Sequence, residues 1–391
     1  MGSMFKVGAL VLAGVLAAAA SPALAGDPGV SKDRIEVGSF LPLQSGLSAG
    51  ATQYRDGIDA YLKWINKNGG VDGRKIEITF ENDSYNPQQA VAAAKKLVDR
   101  DGVFAIVGTL GTTNTVAAIP FLAQRGVPLL GPLGSHPSIN TPTERVVFPI
   151  SPLGTSHGRS LAAYAHEQMG AGTFAVFYQD DQYGKEMMQG VEAYAKETGL
   201  KIVGRASYVP SDVDVSAQAL ALRDSHPDAV IMAVIPKHGA LFMLEAQKLG
   251  WRSIFLAPQL MADAVSMKLG GSALNGMIIN LYAALETMDT DAVREAVAAM
   301  KEFAPQTAPG YWSFMGMAGA RLFVAALRKI DGEPTRAKLM DALESLGTYD
   351  CGVIPPVTYA PGHHAGPTTF GYAKIVDGAA GKVELLKHWS E

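Results

Sequence analysis

Hydrophobic positions along the chain fall in short, β-branched runs separated by longer stretches with helical spacing. Ile35–Leu41, Lys75–Phe80, Phe104–Val107 and Pro128–Leu130 read as strands. Between them Gly50–Asn68, Pro87–Arg100 and Thr112–Arg125 read as helices, with Gly69-Gly70 ending the first and Asn86-Pro87 opening the second. A Pro- and Gly-rich stretch, Gly131–Gly154, interrupts the series. A second series follows: strand Thr173–Tyr178, helix Gly184–Thr198, strand Lys201–Tyr208, helix Ser216–Ser225, strand Ala229–Val234, helix Gly239–Leu249 and strand Ser253–Leu256. Strand–helix alternation specifies a parallel sheet covered on both faces, and two such series with a break between them predict two α/β lobes. The last third is more helical (Asp291–Phe303, Trp312–Ile330, Thr335–Ser345), with short strand signals near Thr358 and over Phe370–Val376.

Open parallel sheets bind ligands beyond the carboxyl ends of their strands. The loop Gly108-Thr109-Leu110-Gly111-Thr112-Thr113-Asn114-Thr115 leaves a strand and enters a helix. Its glycines allow close backbone approach, and the helix start offers unpaired N–H groups suited to a carboxylate. The same threonines are also good helix caps, and one of them is expected to serve that way. The next strand ends in Gly131-Pro132-Leu133-Gly134-Ser135-His136, which brings a second hydroxyl to the same crevice. In the second series, Gln179-Asp180-Asp181-Gln182-Tyr183-Gly184 joins a strand to a helix. Tyr183 suits a half-buried ligand wall, and the two aspartates suit the helix N-terminus better than a metal.

Composition narrows the function. Of 391 residues, 48% are hydrophobic and 18% charged, enough for two well-buried cores. A net charge of −4 and the lack of any Lys/Arg run give nucleic acid no electrostatic footprint. Lys6, the apolar run Val7–Ala20 and Ala23-Leu24-Ala25 read as a cleavable export signal ending at Ala25, the run being too short to span a bilayer. The single cysteine, Cys351, allows no internal disulfide and no thiolate metal cluster, and His363-His364 in an extended loop would point apart. No serine-nucleophile elbow, zinc-protease helix motif, phosphate loop or dinucleotide fingerprint is present, so neither an enzyme nor a bound cofactor is expected.

With these loops laid out, the chain resembles the type I periplasmic solute-binding proteins of ATP-driven uptake systems, most of all the branched-chain amino-acid-binding family. The resemblance is carried, in order, by Ile35-Glu36-Val37-Gly38 and Pro42-Leu43-Gln44-Ser45-Gly46, then by Ile65–Gly73 and Glu81-Asn82-Asp83. Ile106-Val107-Gly108, Gly126-Val127-Pro128 and Asp181-Gln182-Tyr183-Gly184 continue it. It implies two lobes, each a mostly parallel sheet flanked by helices, joined by three hinge crossings, with ligand between them. The first lobe would comprise residues 27–149 plus 283–348 and the second 150–282 plus 349–391. It further implies a periplasmic, monomeric protein that delivers a small ligand to the membrane permease of an ABC transporter.

Carried over by resemblance, Thr112 with Leu110 and Gly111, and Ser135 with Leu133 and Gly134, would hold a ligand carboxylate; Tyr183 matches the second-lobe aromatic. The opposite side departs from the family. Where amino-acid binders place a glutamate for the ammonium, Phe255-Leu256-Ala257-Pro258 is followed by Gln259, and Ile235 takes a further aromatic position. Trp312, after Pro309-Gly310, is a further candidate, and Asp263 remains open as a substitute acid. A glutamine cannot neutralise an ammonium, and a buried unpaired charge costs several kcal/mol. The expected ligand is therefore a small carboxylate without an α-ammonium, aromatic or branched. A branched-chain amino-acid or amide binder, and a ligand-sensing regulatory subunit, are the alternatives.

Overall fold

The structure is a computed structural model and describes residues 27–389 together with Met1. The expected export signal lies outside the described residues. The first lobe begins with β1 (Arg34–Leu41), α1 (Ser48–Lys67), β2 (Lys75–Asn82) and α2 (Pro87–Lys95), which runs on as a π-type turn over Lys96–Arg100. It continues through β3 (Ile106–Leu110), α3 (Thr112–Gln124), β4 (Leu129–Leu133), α4 (Pro137–Asn140) and β5 (Val147–Phe148). All five strands are parallel, in the order β2-β1-β3-β4-β5. Central β3 and β4 are buried at every position, as expected of strands covered on both faces.

The second lobe opens with α5 (Gly154–Glu167), a helix hidden in sequence by its polar Gly-Thr-Ser-His-Gly start, then β6 (Thr173–Gln179), α6 (Gln182–Thr198) and β7 (Lys201–Tyr208). There follow α7 (Ser216–Asp224), β8 (Ala229–Ala233), α8 (Pro236–Lys248), β9 (Ile254–Pro258), α9 (Ala264–Gly270) and β10 (Ile278–Leu281). The chain then supplies α10 (Asp291–Phe303), α11 (Tyr311–Leu327) and α12 (Arg336–Glu344). It closes with β11 (Gly347–Tyr349), β12 (Val357–Ala360), β13 (His363–Ala365), β14 (Gly371–Asp377) and β15 (Lys382–Lys387). The second sheet runs β15-β14-β10-β9-β8-β6-β7; its first two strands in that order come from the C-terminus and are antiparallel.

Helix starts follow local chemistry. Asn86 accepts from the amides of Gln88 and Gln89 with Pro87 behind it, and Thr290 and Thr335 cap α10 and α12. Asp181 caps α6 by accepting from Gly184 N, while Asp180 pairs with Lys185, so neither aspartate serves as a metal ligand pair.

Residues after β10 return to the first lobe because α11 packs backbone to backbone on α1. A Cβ at Gly57 would lie 2.0 Å from Ser313 O, and one at Gly316 2.1 Å from Tyr54 O. This close approach fixes Tyr311 and Trp312, at the start of α11, over the cleft. The three-stranded sheet β11-β12-β13 also sits on the first lobe: Tyr359 donates to Pro149 O (2.6 Å), and His364 bonds Val147 O (2.7 Å) and stacks on Phe148. The expected boundary at 348/349 falls inside β11, and the chain passes from this sheet to β14 of the second sheet between Ala365 and Gly371. The sequence reading gave the strand near Thr358 and the one over Phe370–Val376 as separate signals but placed both in the second lobe. No helix among the described residues is long and apolar enough to cross a membrane.

Candidate ligand site

The carboxyl ends of both parallel sheets face a single cavity. Nine of the ten residues singled out in the sequence line it. Leu110, Gly111 and Thr112 follow β3; Leu133, Gly134 and Ser135 follow β4. Tyr183 stands in the first turn of α6, Ile235 just before α8 and Trp312 at the start of α11.

The first-lobe wall is built of main chain. Gly111 occupies the N-cap of α3 at φ 114°, a conformation that favours glycine, and no side chain caps the helix. The expected threonine cap is absent because the threonines are engaged elsewhere or left free. Thr112 Oγ1 accepts from Ser135 N (3.0 Å), Thr115 pairs with Thr109 (2.8 Å), and Thr113 Oγ1 has no partner among the described residues. The leading amides of α3 thus keep their donors free of any side-chain cap, the arrangement that suits an anion. The Thr112–Ser135 bond ties the two loops into one cradle. Asn140 and Ser151 brace it from behind: Asn140 Nδ2 donates to Gly134 O (3.1 Å) and Ser151 O (2.7 Å), and Ser151 Oγ to Gly134 O (2.7 Å).

The opposite wall is aromatic. Tyr85, Tyr183, Tyr282 and Tyr311 line it with Trp312 and His157. Burial pushes all four phenols above their usual range, so each stays protonated. Tyr282 and Tyr311 share a short O–H···O contact, and Tyr183 donates to Val234 O (3.1 Å). Burial drives His157 down to about 3, leaving its ring neutral. Among the described residues no Asp, Glu, Lys or Arg lines the cavity.

Gln259 is the one selected residue that does not reach the cavity, and its expected role as a ligand wall is corrected accordingly. Fully buried behind it, the side chain accepts from the amides of Tyr282 and Ala283 (both 2.9 Å) and donates to Ala283 O (2.9 Å). Three backbone groups at the second crossing need two acceptor bonds and one donor, and an amide supplies both kinds where a carboxylate lacks the donor. Asp263 also stays off the cavity lining. It caps α9 through Val265 N (2.6 Å) and accepts from Trp312 Nε1 (2.5 Å), and burial raises its pKa. Asp83, under the first wall, accepts from Tyr85 N (2.9 Å) and Asn114 Nδ2 (2.8 Å); burial pushes it up to about 6.

Seven lining residues escaped the sequence reading: Leu47, Tyr85, Ser151, His157, Leu260, Tyr282 and Tyr311. Tyr85, Leu260 and Tyr282 each lie within a few residues of a strand's carboxyl end, a signal available once β10 is recognised. Ser151 lies three residues after the short strand β5, which the sequence reading did not pick out, and His157 carries no comparable mark. Hydrogen bonds from lobe to lobe include Gln179 Nε2 to Tyr85 OH (3.3 Å), Trp312 Nε1 to Asp263 and the contact of Tyr282 OH with Tyr311 OH, so the lobes are drawn together around the cavity.

Two sheets that offer their strand ends to one hollow lined by uncharged side chains define a clamp for a small molecule. The chain belongs to the periplasmic binding protein family, whose profile matches residues 34–380. This is a family of solute-binding proteins rather than enzymes. Among curated relatives, a Leu/Ile/Val-binding protein homolog of Brucella suis is 24% identical over 373 residues, spanning 92% of this chain and 88% of the relative. A possible leucine/isoleucine/valine-binding protein from Rhodopirellula baltica superposes with a TM-score of 0.81 at 22% identity, covering 92% of this chain and 97% of that one. A fatty acid ABC transporter substrate-binding protein from Thermomonospora curvata gives 0.82 at 21% identity, over 93% of each chain. These likenesses establish the two-lobed type I fold.

Proposed function

We propose that the protein captures a small organic carboxylate lacking an α-ammonium group, of aromatic or branched apolar character, and hands it to the membrane permease of an ABC transporter as a monomer. One observation carries this reading: donors converge on one side of the cavity, and no acid stands anywhere on its wall. The leading amides of α3, Thr112 Oγ1 and Ser135 Oγ would hold the carboxylate, with the helix dipole favouring its charge. Tyr183, Tyr282 and Trp312 would enclose the ring or branched chain, with Ile235 beside them. An ammonium would meet only neutral groups, at a cost of several kcal/mol.

A branched-chain amino acid is the second reading, favoured by the names of the curated relatives. Calorimetry on protein stripped of bound ligand separates the two. Benzoate-type acids are expected to bind at micromolar or tighter dissociation constants, and leucine at least a hundredfold more weakly. Tight leucine binding with no response to aromatic or branched acids would sink the reading.

A further inference from the structure

His157 lines the cavity with a ring whose tautomer sets whether it presents a donor or an acceptor, and the hydrogen bonds around it decide which. Ser160 Oγ donates to His157 O (3.0 Å). The same oxygen accepts from Asn280 Nδ2, 2.7 Å away. That nitrogen also lies 3.3 Å from His157 Nδ1 and 3.4 Å from His157 O, a carbonyl that can only accept. Nδ1 is therefore an acceptor, and in a neutral ring the proton sits on Nε2. Tyr282 and Phe370 hold the ring by edge contacts at 4.6 and 4.9 Å, and Nε2 has no partner among the described residues. Burial keeps the second proton off the ring, in agreement with that pattern.

We infer that His157 is a specificity-determining residue: its Nε2–H donates to an oxygen of the bound acid, and the fixed tautomer turns away a ligand ammonium, itself only a donor. This rests on the carboxylate reading above. The donated bond can fall on a carboxylate oxygen or on a hydroxyl or keto oxygen of the ligand; a neutral donor serves both. Asn280, which reaches the ligand only through the ring, is the positioning residue.

Histidine-selective ¹⁵N NMR on the whole protein tests the tautomer. The ring of His157 is expected to show a bare Nδ1 and a protonated Nε2 from pH 5 to 8, with the Nε2 proton moving when benzoate is added. A proton on Nδ1, or an Nε2 proton indifferent to ligand, overturns the inference. Calorimetry supplies the second arm. His157→Phe should weaken benzoate about tenfold, and His157→Gln, which keeps a donor, should recover most of that loss. Because its amide oxygen can accept, His157→Gln should also improve leucine binding, while His157→Phe should not. Benzoate affinity equal to wild type in His157→Phe, with melting temperature unchanged, removes His157 from recognition while leaving the carboxylate reading intact. Failure of the wild type itself to bind benzoate or a branched acid removes the parent reading instead. Should His157→Phe not fold, the glutamine variant and the NMR pattern still decide.

Discussion

The first-lobe wall of the cavity is main chain, whereas the opposite wall is side chains gathered from both lobes and the crossings between them. On the first wall, the loops after β3 and β4 present helix-start amides and two hydroxyls, and their shape comes from one residue at φ 114° and a Thr112–Ser135 bond. On the other, Tyr85, Tyr183, Tyr282 and the adjacent pair Tyr311 and Trp312 come from four separate places in the chain. Backbone donors recognise what many acids share; a side-chain wall can be recut without disturbing the cradle. On the proposed reading, substrate class resides in the second wall, and affinity for an anion in the first.

The sharpest way to break the comparison is to spoil the cradle. Gly111→Val places a β-branched residue at φ 114° with its Cβ 2.8 Å from the Tyr85 ring. Benzoate binding should fall more than about a hundredfold by calorimetry. Next comes a recut of the other wall. Ile235→Glu puts an acid beside the first turn of α8, where the helix field favours it. Benzoate should weaken about thirtyfold by like-charge repulsion, and leucine should gain binding in the same titration; an unchanged preference would place selectivity elsewhere. Thr112→Ala is milder. It strands Ser135 N without its acceptor, and both a roughly tenfold loss of affinity and about 1–2 kcal/mol of stability should go, read by calorimetry and denaturant unfolding.

The smallest effect is electrostatic and concerns the acid under the first wall. Asp83 is raised in the folded protein from 3.8 to about 6, so between those values the native state holds a proton that the unfolded chain has lost. Its contribution is complete below the lower value and declines as pH rises through the higher one, by at most about 3 kcal/mol. Asp83→Asn should flatten that decline. Melting curves of the two proteins at pH 4 and pH 7 should differ more at one end than the other, with the variant relatively more stable at pH 7. Parallel curves would mean that Asp83 is not held protonated.

Most of the site's first wall was legible because strand-end loops obey local rules. Gly-Thr-Thr after an apolar run says strand, tight turn and helix start before any tertiary contact is known, and Thr112 and Ser135 follow from that. Gln259 shows the limit. Its place after a strand end suggested a ligand contact, but the unpaired amides and carbonyl of residues 282 and 283, more than twenty positions away, claimed its side chain. Helix α5 was missed because its polar opening masks an apolar face, and His157 went with it.

Taken alone, the sequence determined the alternating α/β grammar, the division into two lobes and the helix-end cradle, all set by interactions within a few residues along the chain. Tertiary structure alone decided which aromatic side chains face the hollow, that Asp83 and Asp263 stand behind it, and where the third crossing falls. Those outcomes depend on contacts between distant segments, such as α11 against α1 and β13 against β5. Burial and pairing there are set by geometry in space, which neither periodicity nor spacing records.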